Sequence, residues 1–290
     1  MRAQVHGRPN WYLDPLVAAQ KRAVHLDWIS RNLPPDLRIG TVLKTDLFEE
    51  AYGPDELLFT LSVDAGLKIG FDINPETVSR AAGRQSDHAC RFLNADVRRM
   101  PLADESVDVV LSNSTLDHFD TEREIEQSLR ELTRVLKPGG IMLVTLDNPR
   151  NPLFFLLRAS LPWTGVPFRL GKTLSLRKLL RVLDRAGLEV QSTDWLIHNP
   201  RFLSTLIYLT LRRMFGPRAS GTIGWLLTLF SKLGRLPTRG FTGAFVAACA
   251  RKPCDCKPAS SETRVSGNMK FSPHTCSVSK QPANRMESVW

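Results

Sequence analysis

The chain has 290 residues, of which 42% are hydrophobic and 23% are charged, a composition ordinary for a soluble globular protein with a full core. Its longest apolar stretches, residues 202–211 and 221–230, each have 10 residues and are too short to span a bilayer. The N-terminal residues lack the apolar run of a signal peptide. Composition therefore argues against a membrane-spanning protein and predicts a cytoplasmic one.

The cysteines do not have the pattern of a disulfide framework. There are five, an odd number, and most are near the C-terminus, which predicts a reducing compartment. Cys254 and Cys256 are closely spaced and have no second pair nearby, so we predict no metal site and a solvated tail instead.

Charge is distributed unevenly along the chain. Residues 1–150 hold 18 Lys/Arg and 23 Asp/Glu, whereas residues 151–252 hold 16 basic and 3 acidic residues. A mildly acidic first half therefore precedes a strongly basic second half. Such asymmetry suggests an anionic partner for the second half: a membrane surface, an acidic substrate or nucleic acid.

Predicted helices and strands alternate along the chain. An N-terminal helix spans 13–33, and later helices include 74–84, capped by Asn74 with Pro75 at its first position, and 121–136, capped by Thr121. The predicted strands are 40–48, 66–73, 90–97, 106–114, 140–149, 188–198 and 242–252. Alternation with strands that are apolar on both faces predicts an α/β fold with a doubly wound, mostly parallel, seven-stranded sheet.

The same pattern predicts the domain organisation. Residues 1–37 form an N-terminal helical segment and residues 38–252 the main domain. A basic helical insertion, about 199–240, precedes the last strand. Residues 253–290, rich in Ser, Pro and Lys, are predicted to be a disordered tail.

Four segments together resemble the class I S-adenosylmethionine-dependent methyltransferases, in particular the "methyltransferase type 11" pattern. They are KIGFDINPETVSRA, NADVRRMPLADESVDVVLSNSTLDHF, LRELTRVLKPGGIMLVTLDNP and GAFVAACARK. The resemblance covers roughly residues 38–252. It implies a Rossmann-like methyltransferase fold and S-adenosyl-L-methionine as the cofactor.

The resemblance also implies cofactor-binding residues. Asp72, at the carboxyl end of the second strand, is expected to accept the ribose hydroxyls, with Ile73 beside it. Asp96 is expected near the adenine amino group, with Val97 backing the ring, and Asn113 is expected in the crevice at the end of the fourth strand. Other roles stay open: helix capping or a surface position for Asp72, and an ordinary turn for Asp96.

The first loop departs from the family pattern. The family has an acidic residue and G-x-G-x-G after the first strand, whereas this chain has KTDLFEEA at residues 44–51. The loop is either a rebuilt site or a lost one. S-adenosylmethionine has no phosphates but carries sulfonium and ammonium cations, so carboxylates of Asp46, Glu49 and Glu50 and the hydroxyl of Thr45 can replace the glycines. A crevice plugged by Phe48 would contradict this hypothesis.

The acceptor side has a candidate base. His118 follows the fourth strand and can deprotonate a hydroxyl, oriented by Asp117 or Asp120; alternatively it caps or packs the next helix. His198 is a weaker candidate. After the fifth strand, Asp147 and Asn148 are expected to line the acceptor pocket.

The basic half indicates the type of acceptor. Segments 152–170 and 200–240 mix apolar and basic residues, which is typical of an interfacial helix at an anionic membrane or of a lid with solvated arginines. The sequence thus predicts a methyltransferase for a small apolar, lipid-like or quinone-like acceptor, acting by O- or C-methylation. A cofactor-binding pseudoenzyme and, less favoured, a nucleic-acid methyltransferase remain alternatives.

Overall fold

The computed structural model describes residues 15–35, 38–53, 55–85, 89–154, 171–199 and 201–254. Two predictions fall on other residues. The predicted tail lies outside the described ranges except for its first two residues. Most of the basic segment 152–170 lies outside them as well.

Seven strands form one sheet in the described part of the chain, in the order β3-β2-β1-β4-β5-β7-β6. The strand bounds are β1 Ile39–Thr45, β2 Ala65–Asp72, β3 Cys90–Asn94, β4 Val107–Asn113, β5 Leu136–Asp147, β6 Glu189–Leu196 and β7 Phe245–Arg251. Strand β7 runs antiparallel to both β5 and β6, and the other pairings are parallel. The prediction of a doubly wound, mostly parallel α/β sheet is confirmed.

The helices lie between the strands, as the alternation predicted. Their bounds are α1 Pro15–Asn32, α2 Phe48–Tyr52, α3 Leu57–Thr60, α4 Pro75–Arg84, α5 Glu122–Val135, α6 Leu176–Arg185, α7 Arg201–Phe215, α8 Ala219–Ser231 and α9 Arg239–Thr242. Both predicted caps are confirmed. The Asn74 side chain accepts the Glu76 N–H, and Thr121 forms a capping box with Glu124.

Two hydrophobic clusters cover the two faces of the sheet. One face packs against α5 and α6 through residues such as Leu129 and Leu183. The other face packs against α1 and α3 through Trp28 and Leu57. Neighbouring residues of a strand point to opposite faces of the sheet. Because helices cover both faces, the strands are apolar over most of their length.

Several element boundaries differ from the prediction by a few residues, and two of them bear on the site. Strand β1 ends at Thr45 and not at residue 48, because Asp46 has a left-handed backbone with φ 67°. Helix α5 ends at Val135 and β5 begins at the next residue, since Leu136 already pairs with Val107 of β4. The KPGG segment therefore lies within a strand.

The strand order creates one topological switch point. The chain leaves β1 toward β2 and β3 on one side, whereas β4 and β5 lie on the other. In open α/β sheets the crevice outside the carboxyl ends of the strands at such a point is where ligands bind. We refer to the edge between the ends of β1 and β4, with the adjoining end of β2, as the crevice.

Candidate active site

Hydroxyl groups tie β1 to β4 at the base of the crevice. Thr45 Oγ1 lies 3.1 Å from Ser112 Oγ and 2.5 Å from Thr115 Oγ1. Thr45 is fully buried, and its hydroxyl is engaged by these two neighbouring hydroxyls. Thr45 therefore holds the two central strands together, and the contact of its hydroxyl with the cofactor stays a prediction.

The residues that follow β1 and β4 both have left-handed backbones. Asp46 has φ 67° and Ser114 has φ 49°, a conformation that non-glycine residues adopt at a cost and that tends to cluster at functional sites. Asp46 Oδ1 accepts the Phe48 N–H at 2.7 Å, which holds the loop in this shape. The first loop thus turns sharply at its first residue, without a glycine.

The bulky residues of the first loop pack into the protein body. Leu47 is fully buried in a cluster with Leu58 of α3. It fits because β2 has Gly70 beneath it, where an added Cβ would lie 2.5 Å from Leu47 Cδ2. Phe48 is partly buried with its ring 5.1 Å from that of Tyr52. The extra volume of Leu47 is therefore accommodated by a glycine in the neighbouring strand.

Two of the three acids in the loop are paired with lysines. Glu49 Oε1 accepts from Lys21 Nζ of α1 at 2.9 Å, and Glu50 Oε2 accepts from Lys44 Nζ at 2.8 Å. Glu50 is fully buried, and its other oxygen accepts the Leu58 N–H. Glu49 and Glu50 thus anchor α2, which leaves Asp46 as the loop carboxylate that we expect to face the cofactor.

Asp46 and Asp72 remain as the acidic pair at the mouth of the crevice. Asp72 Oδ2 accepts the Leu47 N–H at 3.1 Å, and Oδ1 accepts the Asn74 N–H at 2.8 Å. Burial first, and then the charge of Asp46, raise the pKa of Asp72 above its ordinary value. A bound cation would relieve this repulsion. Ile73, beside Asp72, is 58% exposed and offers an apolar surface.

Asp96 has an intramolecular partner. Both of its carboxylate oxygens accept from the Arg98 guanidinium, which also bonds Glu124 Oε1 at 2.7 Å. The Arg98 hydrogen bonds hold the pKa of Asp96 below its usual range. Val97 is 5% exposed and belongs to the core cluster under α5. An adenine amino group would therefore compete with Arg98 for Asp96.

Asn113 ends β4 on the other side of the crevice. Its Nδ2 and Oδ1 atoms are both buried, and neither has a hydrogen-bond partner in the described structure. Buried amides of this kind are rare and call for a specific explanation. A polar ligand group at the crevice would satisfy both atoms.

The candidate base, His118, is exposed on the 3-10 turn Leu116–His118. The preceding Asp117 is buried, and its Oδ2 accepts the Asp147 N–H at 2.9 Å. That bond joins the turn after β4 to the end of β5, and the predicted orientation of His118 by Asp117 stays a prediction. Asp120 is exposed, and its orienting role stays a prediction.

The other predicted acceptor residues are structural. Asn148 is fully buried, and its Nδ2 donates to the carbonyls of Gly240 and Gly243. His198 Nδ1 contacts Thr242 Oγ1 at 2.8 Å, its Nε2 contacts the Trp195 carbonyl, and burial lowers its pKa. Both residues anchor the end of the insertion rather than face a ligand. Asp147 is also buried, with 4% exposed.

Sequence reasoning missed the residues that shape the loop from a distance. Lys21 lies on α1, and Gly70 lies inside β2. An isolated glycine in a strand indicates that another part of the protein packs closely against the strand, so Gly70 could have been recognised from the sequence. The pairing of Lys21 with Glu49 could not, because it joins residues 28 positions apart.

Comparison with known proteins shows what part of the chain resembles. Residues 53–144 match a family described as a methyltransferase domain. Over these residues the chain is similar to methyltransferases. It is 31% identical over 149 residues to a "Probable S-adenosylmethionine-dependent methyltransferase" of Mycolicibacterium smegmatis, covering 48% of this chain and 54% of that protein.

Two further relatives show how far the similarity extends. A demethylmenaquinone methyltransferase of Chlorobaculum parvum is 30% identical over 37% of this chain and 43% of its own length. The chain thus spans about half the length, or less, of these curated relatives. The solved structure of an S-adenosylmethionine-dependent methyltransferase from Thermotoga maritima aligns with a TM-score of 0.52 and 18% identity, covering 82% of this chain and 92% of that one. It shows the fold.

This family and fold bind S-adenosylmethionine, and the crevice residues fit that cofactor. The unsatisfied amide of Asn113, the exposed Ile73 and the acidic pair of Asp46 and Asp72 provide polar, apolar and anionic contacts for a cationic nucleoside. That the first loop is a rebuilt cofactor site stays a prediction.

Proposed function

We propose that the chain transfers a methyl group from S-adenosylmethionine to a small apolar acceptor. The observation that carries the proposal is that Asp46, Asp72 and Asn113 lie at the carboxyl ends of β1, β2 and β4 around the switch point, with the amide of Asn113 unsatisfied. When bound, S-adenosylmethionine supplies an electrophilic methyl group on a sulfonium. The chain's task is then alignment of the acceptor, which can account for a large part of the rate of such a displacement.

The cofactor side of the site has a role for each residue. Asp72 accepts hydrogen bonds from the ribose hydroxyls with the lone pairs that its backbone N–H partners leave open. Ile73 covers one face of the adenine. Asp46 faces the cationic part of the cofactor with its Oδ2 atom, since its Oδ1 atom accepts the Phe48 N–H. Asn113 binds a polar group of the cofactor or the acceptor.

His118 is the proposed base on the acceptor side. It lies two residues beyond Leu116, in the turn that follows β4, and its side chain is exposed. A hydroxyl acceptor can give its proton to His118 as the methyl group is transferred, whereas an acceptor that is already ionised needs no base. The lipid-like or quinone-like character of the acceptor is supported by the demethylmenaquinone methyltransferase among the relatives.

A second candidate function is cofactor binding without methyl transfer. It is favoured by the structural roles of Asp117, Asn148 and His198, which leave His118 as the single predicted base that has an exposed side chain within the described residues. Formation of S-adenosylhomocysteine distinguishes the two functions.

The test is an anaerobic turnover assay with S-adenosylmethionine and a demethylated quinol, the reduced and hydroxyl-bearing form of the quinone, presented in detergent, with catechol as a hydrophilic comparison. We expect S-adenosylhomocysteine to form with the quinol and Asp72→Ala to reduce its formation strongly. Asp64→Ala is the control, since Asp64 is exposed at the opposite end of β2. Cofactor binding with no turnover on any acceptor would favour the second candidate, and absence of cofactor binding would contradict both.

A further inference from the structure

One face of helix α8 carries exposed apolar residues between two basic ones. Trp225 is 63% exposed and Leu229 is 44% exposed. Arg218 and Lys232 flank the helix and keep helical backbone angles, with φ −64° at both positions. The spacings of seven, four and three residues place all four on one side of an α-helix. We call Arg218, Trp225, Leu229 and Lys232 the α8 stripe.

The opposite face of α8 attaches it to the protein. Ala219, Ile223 and Leu227 are buried in a cluster with Tyr208 of α7. Gln20 of α1 also donates to the Leu227 carbonyl at 3.2 Å. Helix α8 is therefore held in place by contacts that do not involve the stripe, so the stripe is free to serve a partner.

The surroundings of the stripe are basic and apolar. Between Asp194 and Asp255 the sequence has nine Lys/Arg and no Asp/Glu, and α8 itself has no charged residue. At the end of α7, Met214 is 67% exposed and Phe215 is 54% exposed. A partner for this surface must accept large apolar side chains and must carry negative charge.

We propose that the α8 stripe binds the surface of an anionic lipid bilayer. Trp225 and Leu229 enter the boundary between headgroups and acyl chains, and Arg218 and Lys232 remain near anionic headgroups. Helix α8 has 13 residues and a length of about 20 Å, which is less than the roughly 30 Å of a bilayer core. No helix of the described residues is long and apolar enough for a membrane span. The helix therefore lies along the interface.

Other partners fit the stripe less well. Nucleic acid offers phosphates to Arg218 and Lys232, but its recognition uses stacking on aromatic rings and leaves Leu229 without a role. A second copy related by a two-fold axis would bring cationic ends of two stripes together without acidic partners. The bilayer satisfies both the charge and the apolar surface.

Vesicle co-sedimentation of the full chain tests the proposal, without cofactor or acceptor, so the outcome does not depend on the proposed function. The probes are phosphatidylcholine vesicles and equimolar vesicles of phosphatidylcholine and phosphatidylglycerol. We expect salt-sensitive binding to the anionic vesicles. Arg218→Gln with Lys232→Gln should weaken it about thirtyfold, because each basic residue near an anionic surface contributes about a fivefold factor.

Further variants distinguish binding by the α8 stripe from the effects of total charge and of misfolding. Arg177→Gln with Arg181→Gln removes the same charge from exposed positions of α6 and should weaken binding several-fold less. Trp225→Ala with Leu229→Ala should reduce binding about tenfold or more. Trp225→Phe should retain binding, because it keeps an aromatic ring. Far-UV circular dichroism and the melting temperature verify that each variant is folded.

Three results would overturn the proposal. The first is the absence of binding to anionic vesicles by the wild-type chain. The second is equal loss of binding in the α6 and stripe variants. The third is a stripe variant that loses self-association in gel filtration, or DNA binding in a gel shift, while its vesicle binding stays unchanged.

Discussion

Lys44 Nζ lies 2.8 Å from Glu50 Oε2, and both side chains are almost fully buried. This ion pair joins the end of β1 to α2 and fixes the position of the first loop relative to the sheet. Burial alone lowers the pKa of Lys44, but the carboxylates of Glu50 and Asp46 outweigh it and raise that pKa above its ordinary value. Lys44 is therefore charged, and the pair is ionic.

Breaking this pair should destabilise the protein. We expect Glu50→Gln to lower the free energy of unfolding by about 3 kcal/mol, because it removes the carboxylate that is hydrogen-bonded to the buried Lys44. Lys44→Met with Glu50→Leu should cost less, about 1–2 kcal/mol, since the Leu58 N–H loses its acceptor and the Asp46 carbonyl its donor, but no unpaired charge stays buried. Urea denaturation measures both changes.

The control for this ion pair is Glu76→Gln on α4, which breaks an exposed pair with Arg80 and should cost less than about 1 kcal/mol. A double variant less stable than Glu50→Gln would contradict the account of Lys44 and Glu50.

The charge of Asp46 should matter more for S-adenosylmethionine than for S-adenosylhomocysteine, which lacks the sulfonium. Asn tolerates the left-handed backbone and can accept the Phe48 N–H, so Asp46→Asn removes the charge and preserves the loop. We expect it to weaken S-adenosylmethionine binding about fivefold more than S-adenosylhomocysteine binding. Calorimetry at low salt measures both affinities, and Asp64→Asn is the control.

An equal effect of Asp46→Asn on the two ligands would show that Asp46 does not face the sulfonium.

A separate variant, Asp46→Val, should lower stability by about 1–2 kcal/mol, because a branched side chain is strained at φ 67°.

Gly70 and Leu47 should be energetically coupled. An added Cβ at Gly70 would lie 2.5 Å from Leu47 Cδ2 and 2.9 Å from Leu58 Cδ2, so Gly70→Ala should cost about 1–3 kcal/mol through overpacking. Leu47→Ala removes the closer of these two contacts, and the double variant should therefore lose less stability than the sum of the single ones. Gly83→Ala is the matched control, because a Cβ added there would have nothing within 4 Å; it should be neutral or stabilising. Additive losses at Gly70 and Leu47 would contradict the close fit.

His25 should make the fold sensitive to acid. Burial first, then Lys21, lower its pKa from 6.5 to about 4, and its Nδ1–H donates to the Lys21 carbonyl. The folded state thus binds fewer protons than the unfolded state between these two values, so stability falls as the pH drops from 6.5 through 4. The loss between pH 7 and pH 5 should be about 2 kcal/mol.

Urea denaturation of the wild-type chain and of His25→Gln at both pH values measures this contribution. The variant should show a pH dependence smaller by about 2 kcal/mol, even though it is less stable at pH 7. An unchanged pH dependence would show that His25 is not held neutral by burial.

Much of the fold could be predicted because it is set by local patterns. Apolar runs marked the strands, and Asn74 and Thr121 marked the starts of two helices. The positions of Asp72 and Asn113 at strand ends followed from the same patterns. The orientation of side chains in the first loop could not be predicted, since Glu49 is turned by Lys21 of a distant helix and Thr45 is buried by the packing of β1 on β4. Such long-range contacts leave no local signal.

Glu49 provides a separate check on the first loop. Because its carboxylate pairs with Lys21, Glu49→Ala should change cofactor affinity by less than about fivefold and should act mainly on stability. A large loss of affinity with an unchanged melting temperature would restore Glu49 as a direct cofactor contact.

The most direct test of a rebuilt cofactor site is calorimetric titration of S-adenosylhomocysteine into the wild-type chain, Asp72→Asn and Asp64→Asn. Asp72→Asn keeps one acceptor oxygen for the loop N–H groups but weakens charged hydrogen bonds to the ribose, so affinity should fall tenfold or more, by about 1.5–3 kcal/mol. Asp64→Asn should bind as the wild type does. Failure of the wild-type chain to bind, or equal affinity of all three proteins, would contradict a cofactor site at the crevice.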